Sequence, residues 1–230
     1  MKIGIMQPYF LPYIGYWQLM NAVDKYVIYD DVNYIKGGWV NRNRMLTTAG
    51  KETYFTISLR DASSFKKINE IEILQVPDKI LKSVQQVYRK ATCFAEAYPT
   101  IEEIFRFPEK NLGKFLVHAN RMIANYLGIT TELIVSSELA KDNSQRADEK
   151  VLHICNLLGG DEYYNAIGGQ ALYSREKFAT RGVRLSFVKT ELVPYPQYKF
   201  DFVPGLSILD IMMFNDRDRL REMMGEYDLV

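Results

Sequence analysis

Apolar positions at the amino terminus, Ile3, Ile5 and Met6, form a short block that halts at Gln7-Pro8. After an aromatic turn, Ile14, Trp17, Leu19, Met20 and Val23 recur at helical spacing, and Lys25 to Tyr29 reads as a second strand ending in Asp30-Asp31. Strand, turn, helix and strand within roughly 30 residues predict a parallel βαβ unit. Its right-handed crossover sets both strand ends at one edge of the sheet, so Gln7-Pro8 and Asp30-Asp31 are expected side by side.

The pattern then changes. Val40 to Leu46 and Tyr54 to Leu59 flank the polar turn Thr47 to Lys51, and Phe55, Ile57 and Leu59 alternate with polar residues, which predicts a hairpin with one buried face. Ile68 to Leu74 is expected to extend that sheet. Pro77 stands where a first-turn proline belongs, ahead of the helical stripe Ile80, Leu81, Val84, Val87 and Tyr88. A short helix is expected over Ile101 to Phe105 after Pro99, and a longer one from Leu112 to Tyr126, stopped by Gly128. Alternation returns in the last third, with strands at Glu132–Val135, Glu162–Asn165 and Arg184–Lys189 and helices at Asp148–Leu158 and Ser174–Arg181. Short helices at Ile208–Phe214 and Leu220–Met224 close the chain. The expectation is one α/β domain over residues 1–230, its parallel sheet drawn from both ends of the chain, with a hairpin and helical block inserted over 36–130.

Composition narrows the class. At 230 residues, 47% hydrophobic and 25% charged, the chain has the makeup of a folded protein with a sizeable core. Lys plus Arg number 29 and Asp plus Glu 28, so a net charge of +1 predicts no general attraction to nucleic acid or to an anionic membrane. No apolar run of about 18 residues is present and the first apolar stretch is too short for a signal-peptide core, which points to a soluble cytoplasmic protein. Two cysteines, Cys93 and Cys155, and two histidines, His118 and His153, lack zinc-site spacing and are read as packing residues. The 16 Tyr and 12 Phe suit either a polar small-molecule site or an aromatic core.

Ligands of an open parallel sheet bind beyond the carboxyl ends of its strands. Four such ends carry polar groups: Gln7-Pro8, Asp30-Asp31, Ser136-Ser137 and Asn165 through Gln170, whose Gly168-Gly169 pair lets backbone N–H groups approach an anion or else makes a tight turn. The densest constellation follows Asp31. Lys36, Arg42 and Arg44 suit phosphate or carboxylate groups, Trp39 suits stacking on a base or sugar, and Asn41 and Asn43 lie between them. Adjacent carboxylates on an extended chain point in different directions, so Asp30 and Asp31 are not automatically a general acid/base pair. Farther on, Ser207 followed by Asp210 reads as a helix start.

At these residues the chain resembles the WbqC-like protein family. The resemblance rests on Met6-Gln7-Pro8-Tyr9-Phe10-Leu11-Pro12-Tyr13-Ile14-Gly15-Tyr16, Asp30-Asp31-Val32, Trp39-Val40-Asn41-Arg42-Asn43, Gly168-Gly169-Gln170-Ala171-Leu172-Tyr173, Tyr195-Pro196-Gln197 and Leu206-Ser207-Ile208-Leu209-Asp210. It implies a bacterial gene context of O-antigen and other cell-surface polysaccharides, and transfer of glycine or another aminoacyl group to an amino sugar; it carries over no catalytic residue. A fainter resemblance concerns fold: Tyr13-Ile14-Gly15-Tyr16 stands where HIGH-type nucleotidyltransferases and class I aminoacyl-tRNA synthetases place His-x-Gly-His. Both histidines are tyrosines here, which cannot supply an imidazolium to phosphate, while nucleotide binding on a Rossmann-like, HUP-type sheet is still implied.

The leading expectation is therefore an aminoacyl or acyl transferase acting on the amine of a nucleotide-linked amino sugar. Asp30 or Asp31 would sit at the amine, Lys36, Arg42 and Gly169 at phosphates, and Tyr13, Tyr16 and Tyr173 in the pocket wall. Gln7, Trp39, Asn41, Asn43, Asn165, Gly168, Gln170 and Gln197 would complete the substrate contacts. The donor is an activated acyl or aminoacyl compound, a tRNA-linked one included. ATP or another nucleotide with magnesium is the expected cofactor if the reaction is instead nucleotidyl transfer or ATP-dependent ligation. A non-catalytic nucleotide-sugar-binding or assembly protein is the third class. Replacing Asp31 with Asn and Arg42 with Ala is expected to abolish turnover and leave the melting curve nearly unchanged.

Overall fold

The computed structural model describes residues 1–75 and 78–230, so the expected first-turn proline at Pro77 lies outside the described residues. Strands β1 (Lys2–Met6) and β2 (Lys25–Ile28) flank helix α1 (Ile14–Asn21), giving the predicted βαβ unit. The main sheet continues with β7 (Glu132–Val135), β8 (Glu162–Ala166), β9 (Arg184–Thr190) and β10 (Tyr227–Leu229), and its spatial order is β10-β9-β8-β1-β2-β7. All neighbours are parallel except β10, which runs antiparallel to β9 at one edge. The chain moves outward from β1 through β2 to β7, then crosses back to lay β8 on the other side of β1. The direction of winding therefore reverses between β1 and β8, and a crevice forms at their carboxyl ends.

Between β2 and β7 lie two separate antiparallel ladders, β3 (Arg42–Leu46) with β4 (Glu52–Thr56), and β5 (Ser58–Arg60) with β6 (Glu72–Gln75). The expected extension of the hairpin from Ile68 onward is thus corrected. Ile68–Glu70 is a single 3₁₀ turn, and β6 pairs with β5 in its own ladder. Helices α2 (Asp78–Tyr88), α3 (Phe94–Arg106) and α4 (Leu112–Leu127) follow. Helix α3 is longer than expected because Pro99 falls in its second turn, where it removes only the hydrogen bond to the Ala95 carbonyl. Helix α4 ends, as its sequence predicts, on Gly128 at φ +74°. Helices α5 (Ala147–Leu157), α6 (Arg175–Ala179), α7 (Ile208–Phe214) and α8 (Arg217–Met223) complete the element order.

Two apolar layers hold the sheet. Ile3, Ile5, Val27, Tyr163, Leu185 and Phe187 pack against α5 and α6 on one face, while Tyr26 and Ile28 join α1, the inserted helices and α7–α8 on the other. The alternation along β2 has a direct consequence. Val27 and Tyr29 belong to the α5 side and Tyr26 and Ile28 to the α4 side, so Asp30 and Asp31, next along the chain, leave the strand toward opposite faces.

The carboxyl tail is tied back into this frame. Gln18 on α1 donates to the carbonyls of Met223 at 2.8 Å and Glu226 at 2.9 Å. Among the described residues, no helix is long and apolar enough to cross a membrane.

Candidate functional site

The strand ends named from sequence do share one rim. Met6 pairs with Ile28, Ile28 with Val135, and the Tyr29 amide donates to the Met6 carbonyl at 2.8 Å; on the other side of β1, Gly4 pairs with Tyr164. Gln7, the two aspartates, Ser136-Ser137 and the Asn165–Gly169 turn therefore follow neighbouring strands at their carboxyl ends.

Asp30 faces the inserted helices. Its Oδ1 accepts the Ser137 amide at 2.9 Å, and its Oδ2 accepts the Ser137 hydroxyl at 2.6 Å and the Asn69 amide side chain at 3.3 Å. The carboxylate borders a cavity of 460 Å³. Helix α4 supplies the facing wall with Lys114, Val117, His118 and Arg121, and Glu109, Asn111 and Glu138 close its sides. Lys114, His118 and Arg121 stand at i, i+4 and i+7, one polar stripe beside the apolar stripe that seats the helix. The His118 ring stacks on Phe107 with centroids 3.8 Å apart, and its Nε2 is buried without a partner. Burial, together with the charge of Arg121, pushes this imidazole below its ordinary value against the opposing pull of Glu103, which keeps it neutral at pH 7.

Asp31 faces α5 and is enclosed. Its Oδ1 accepts the Ser136 hydroxyl at 2.7 Å, and its Oδ2 lies 2.9 Å from the Lys141 ammonium and 3.4 Å from that of Lys150. The Lys141 side chain is 1% exposed and also donates to the Ser136 carbonyl; Lys150 lies over the Tyr29 ring at 5.3 Å. Burial alone would raise the Asp31 carboxyl. The hydrogen bonds from Ser136 and Lys141 and the charges of Lys141 and Lys150 outweigh it and hold the group below the ordinary carboxylate range. The two aspartates thus have different surroundings: Asp30 meets a cavity, and Asp31 is the hub of a buried ion cluster.

A second, smaller cavity of 260 Å³ is walled by Tyr9, Pro12, Tyr13, Trp39, Asn43 and Arg44, with Leu192 and Gly205 at its margin. It joins the first motif block to the third. Asn43 is buried and donates to the carbonyls of Phe10 at 3.0 Å and Leu11 at 2.9 Å, and the Ser207 hydroxyl donates to Leu11 at 2.6 Å. Leu11 itself has φ +44°, a left-handed conformation that these donors hold. At Gly15 the backbone comes close to β9, and a Cβ there would run into the hydroxyls of Thr190 and Tyr13.

Other residues named from sequence are committed elsewhere. Asn41 accepts from the Tyr34 hydroxyl at 2.8 Å and donates to the Ile57 carbonyl at 2.9 Å. Arg42 donates to the carbonyls of Gly37 and Gly38 and lies over the Tyr54 ring at 4.7 Å, so its guanidinium closes its own loop. Lys36 is exposed at that loop. Tyr16 is buried in aromatic packing and donates to the Gln7 carbonyl at 3.2 Å, while the Gln7 side-chain oxygen is buried and unpartnered. Asn165 accepts the Ala166 amide at 2.7 Å and donates to the Tyr163 hydroxyl at 2.6 Å. Gly169 approaches the Asn165 side chain too closely for a larger residue to fit without movement, whereas Gly168 and Gln170 are exposed. Tyr173 packs on Tyr163 and Phe178.

Gln197 lies in a separate buried network. It donates to Asp210 at 2.8 Å, beside Tyr88 at 2.7 Å and Tyr195 at 2.6 Å, and Asp210 is fully buried on the inner face of its helix. Ser207 caps α7 through the Leu209 amide at 3.2 Å. Among the described residues, no three His, Cys, Asp or Glu side chains converge as metal ligands. Sequence reasoning passed over Lys141 and Lys150 and the α4 stripe. The available signals were a lysine adjoining Val151 and Ile154 on the apolar face of α5, and the i, i+4, i+7 spacing on α4.

The family model described as the WbqC-like protein family matches residues 7–222. A relative described as an uncharacterized protein, Rv1507c of Mycobacterium tuberculosis strain H37Rv, is 28% identical over 219 residues, covering 92% of each chain. No solved structure matches. With the lining residues of both cavities inside the matched range, the chain belongs to the WbqC-like protein family.

Proposed function

We propose that this protein transfers an aminoacyl or acyl group to the free amine of a nucleotide-linked amino sugar, in the making of cell-surface polysaccharide. The observation that supports this reading is the 460 Å³ cavity at the ends of β2 and β7, where one oriented carboxylate stands across from cationic side chains on α4. Asp30 suits the N–H groups of a neutral amine, and Lys114 and Arg121 suit the phosphates or carboxylate of the same molecule. In the transfer the amine nitrogen attacks the acyl carbon. The C–N bond forms, the leaving group departs with its electron pair, and one proton leaves the nitrogen. Asp30 takes that proton; Asp31, closed in by two lysines, positions the rim. The sheet order, with its reversal between β1 and β8, supports a Rossmann-like, HUP-type assignment and a nucleotide at that crevice. The same reversal also favours a nucleotidyl-transfer or ligase reading, which magnesium-dependent release of pyrophosphate from ATP would reveal.

The test is a thermal-shift comparison of nucleoside-diphosphate sugars bearing a free amine with their N-acetylated counterparts. Binding to the native state alone raises the melting temperature by mass action. The free-amine compounds should raise it more in the wild type, and the difference should vanish in Asp30→Asn. Equal shifts for both compound classes would remove Asp30 from the acceptor site.

A further inference from the structure

Helix α2 and the residues just after it carry no acid between Lys79 and Lys90, and Lys79, Lys82, Gln86, Arg89 and Lys90 are all exposed. Helical spacing gathers these five on one side, opposite the buried stripe Ile80, Leu81, Val84 and Tyr88. Beyond Lys82 this side opens into a groove of 640 Å³ whose far walls are the hairpin turn at Thr47-Thr48 and the segment Tyr198-Lys199-Phe200. Among the described residues, no ion pair engages Lys79, Lys82, Arg89, Lys90 or Lys199. Asp78 and Asp201 are the acids nearest in sequence to these cations. A net charge of +1 for the whole chain conceals this local excess.

The aromatic wall of the groove is held in place. The Tyr198 hydroxyl donates to the Val87 carbonyl at 2.7 Å, and its backbone takes φ +56°, a conformation a non-glycine residue holds only when its surroundings enforce it. The Phe200 ring lies over Gly50, where an added Cβ would come within 2.3 Å. From Lys79 to Arg89 the cations extend about 15 Å along the helix. That span exceeds the reach of a single phosphate and matches several consecutive phosphates of a chain.

We propose that the α2 face and this groove bind a single-stranded polynucleotide, with its phosphates on the cations and a base against Tyr198 or Phe200. The exposed side of α2 presents no apolar side chain for insertion into a lipid surface, and the concave groove with its threonines and Gln86 suits sugar and base edges. This surface stands apart from the transfer reading, because its occupancy is measured without turnover.

The experiment is fluorescence polarisation of a fluorescein-labelled oligouridylate of about 15 nucleotides. The wild type should bind at low salt, with log K falling against log salt at a slope near about −3, as four to five neutralised phosphates require. The Lys82→Glu/Arg89→Glu/Lys90→Glu variant should bind about tenfold more weakly with a flatter slope, as loss of three phosphate contacts dictates. Lys199→Ala should weaken binding by a smaller factor, and Lys189→Glu, at an exposed position of β9, should not change it. Melting curves of all variants should overlay the wild type. Absence of wild-type binding, equal binding by the triple variant, or binding to phosphatidylglycerol vesicles with the oligonucleotide left free would each overturn the proposal.

Discussion

Asp31→Asn should unfold this protein more easily, contrary to the expectation that its melting curve would hardly move. The substitution keeps the shape of the side chain and removes its charge. Two ammonium groups then remain without a counter-ion at a site where Lys141 is 1% and Asp31 6% exposed. Breaking a buried pair by removing one partner costs about 3–5 kcal/mol. For a chain of this length that corresponds to a fall in melting temperature of about 6–20 °C. Lys141→Met alone leaves Asp31 with Ser136 and Lys150, and should cost less. The double variant Asp31→Asn/Lys141→Met should be more stable than Asp31→Asn by itself, since it removes the ammonium that is most enclosed. The pH dependence carries a sign. A carboxyl held below its ordinary value contributes stability above its unfolded value and loses it as pH falls through the folded one. The difference between wild type and Asp31→Asn should therefore be full at pH 7 and shrink below about pH 4. Urea or thermal unfolding of the three variants at pH 7 reads the magnitude. A melting shift for Asp31→Asn smaller than about 2 °C, under 1 kcal/mol at this length, would refute the buried-cluster reasoning.

Other outcomes follow from neighbouring geometry. Asn43→Ala leaves the Leu11 carbonyl with its Ser207 donor but strips the Phe10 carbonyl of its side-chain donor, so it should lose about 1–3 kcal/mol in urea unfolding. Gly15→Ala drives a methyl into Thr190 and Tyr13, and should cost about 1–3 kcal/mol by forcing the start of α1 away from β9; an unchanged midpoint would mean the contact relaxes freely. A histidine held below its ordinary value opposes folding once the unfolded chain begins to protonate, so wild-type stability should fall from pH 7 to pH 5. His118→Phe should show a smaller fall across that interval, measured by melting temperature.

Much of the frame was legible because it depends on local pattern and handedness. Ile3–Met6, the α1 stripe and Lys25–Tyr29 specify one crossover, and right-handed winding then puts Gln7 beside Asp30. The opposed directions of Asp30 and Asp31 follow from strand alternation alone. The residues facing them were harder to find. Lys141 comes from a loop whose path no periodicity describes, and the α4 stripe matters only because the inserted helices fold back over β2 and β7. Asn43 does wall the smaller cavity, whereas Asn41 and Arg42 are engaged with backbone; polar residues in a loop read alike whether they meet solvent, ligand or backbone. In the folded chain, all three donate to carbonyls. Strand β10 was missed because Tyr227–Leu229 is too short to show alternation, and its pairing is a long-range event.

The antiparallel β10 also acts as a guard. Its pairing from Tyr227 to Leu229 occupies the outer backbone groups of β9, which would otherwise be an open template for another chain. A polypeptide stopped at residue 225 would keep every residue of both cavities yet leave that flank uncovered. Self-association through β9 would then compete with folding, so the last few residues matter for solubility even though they touch neither cavity.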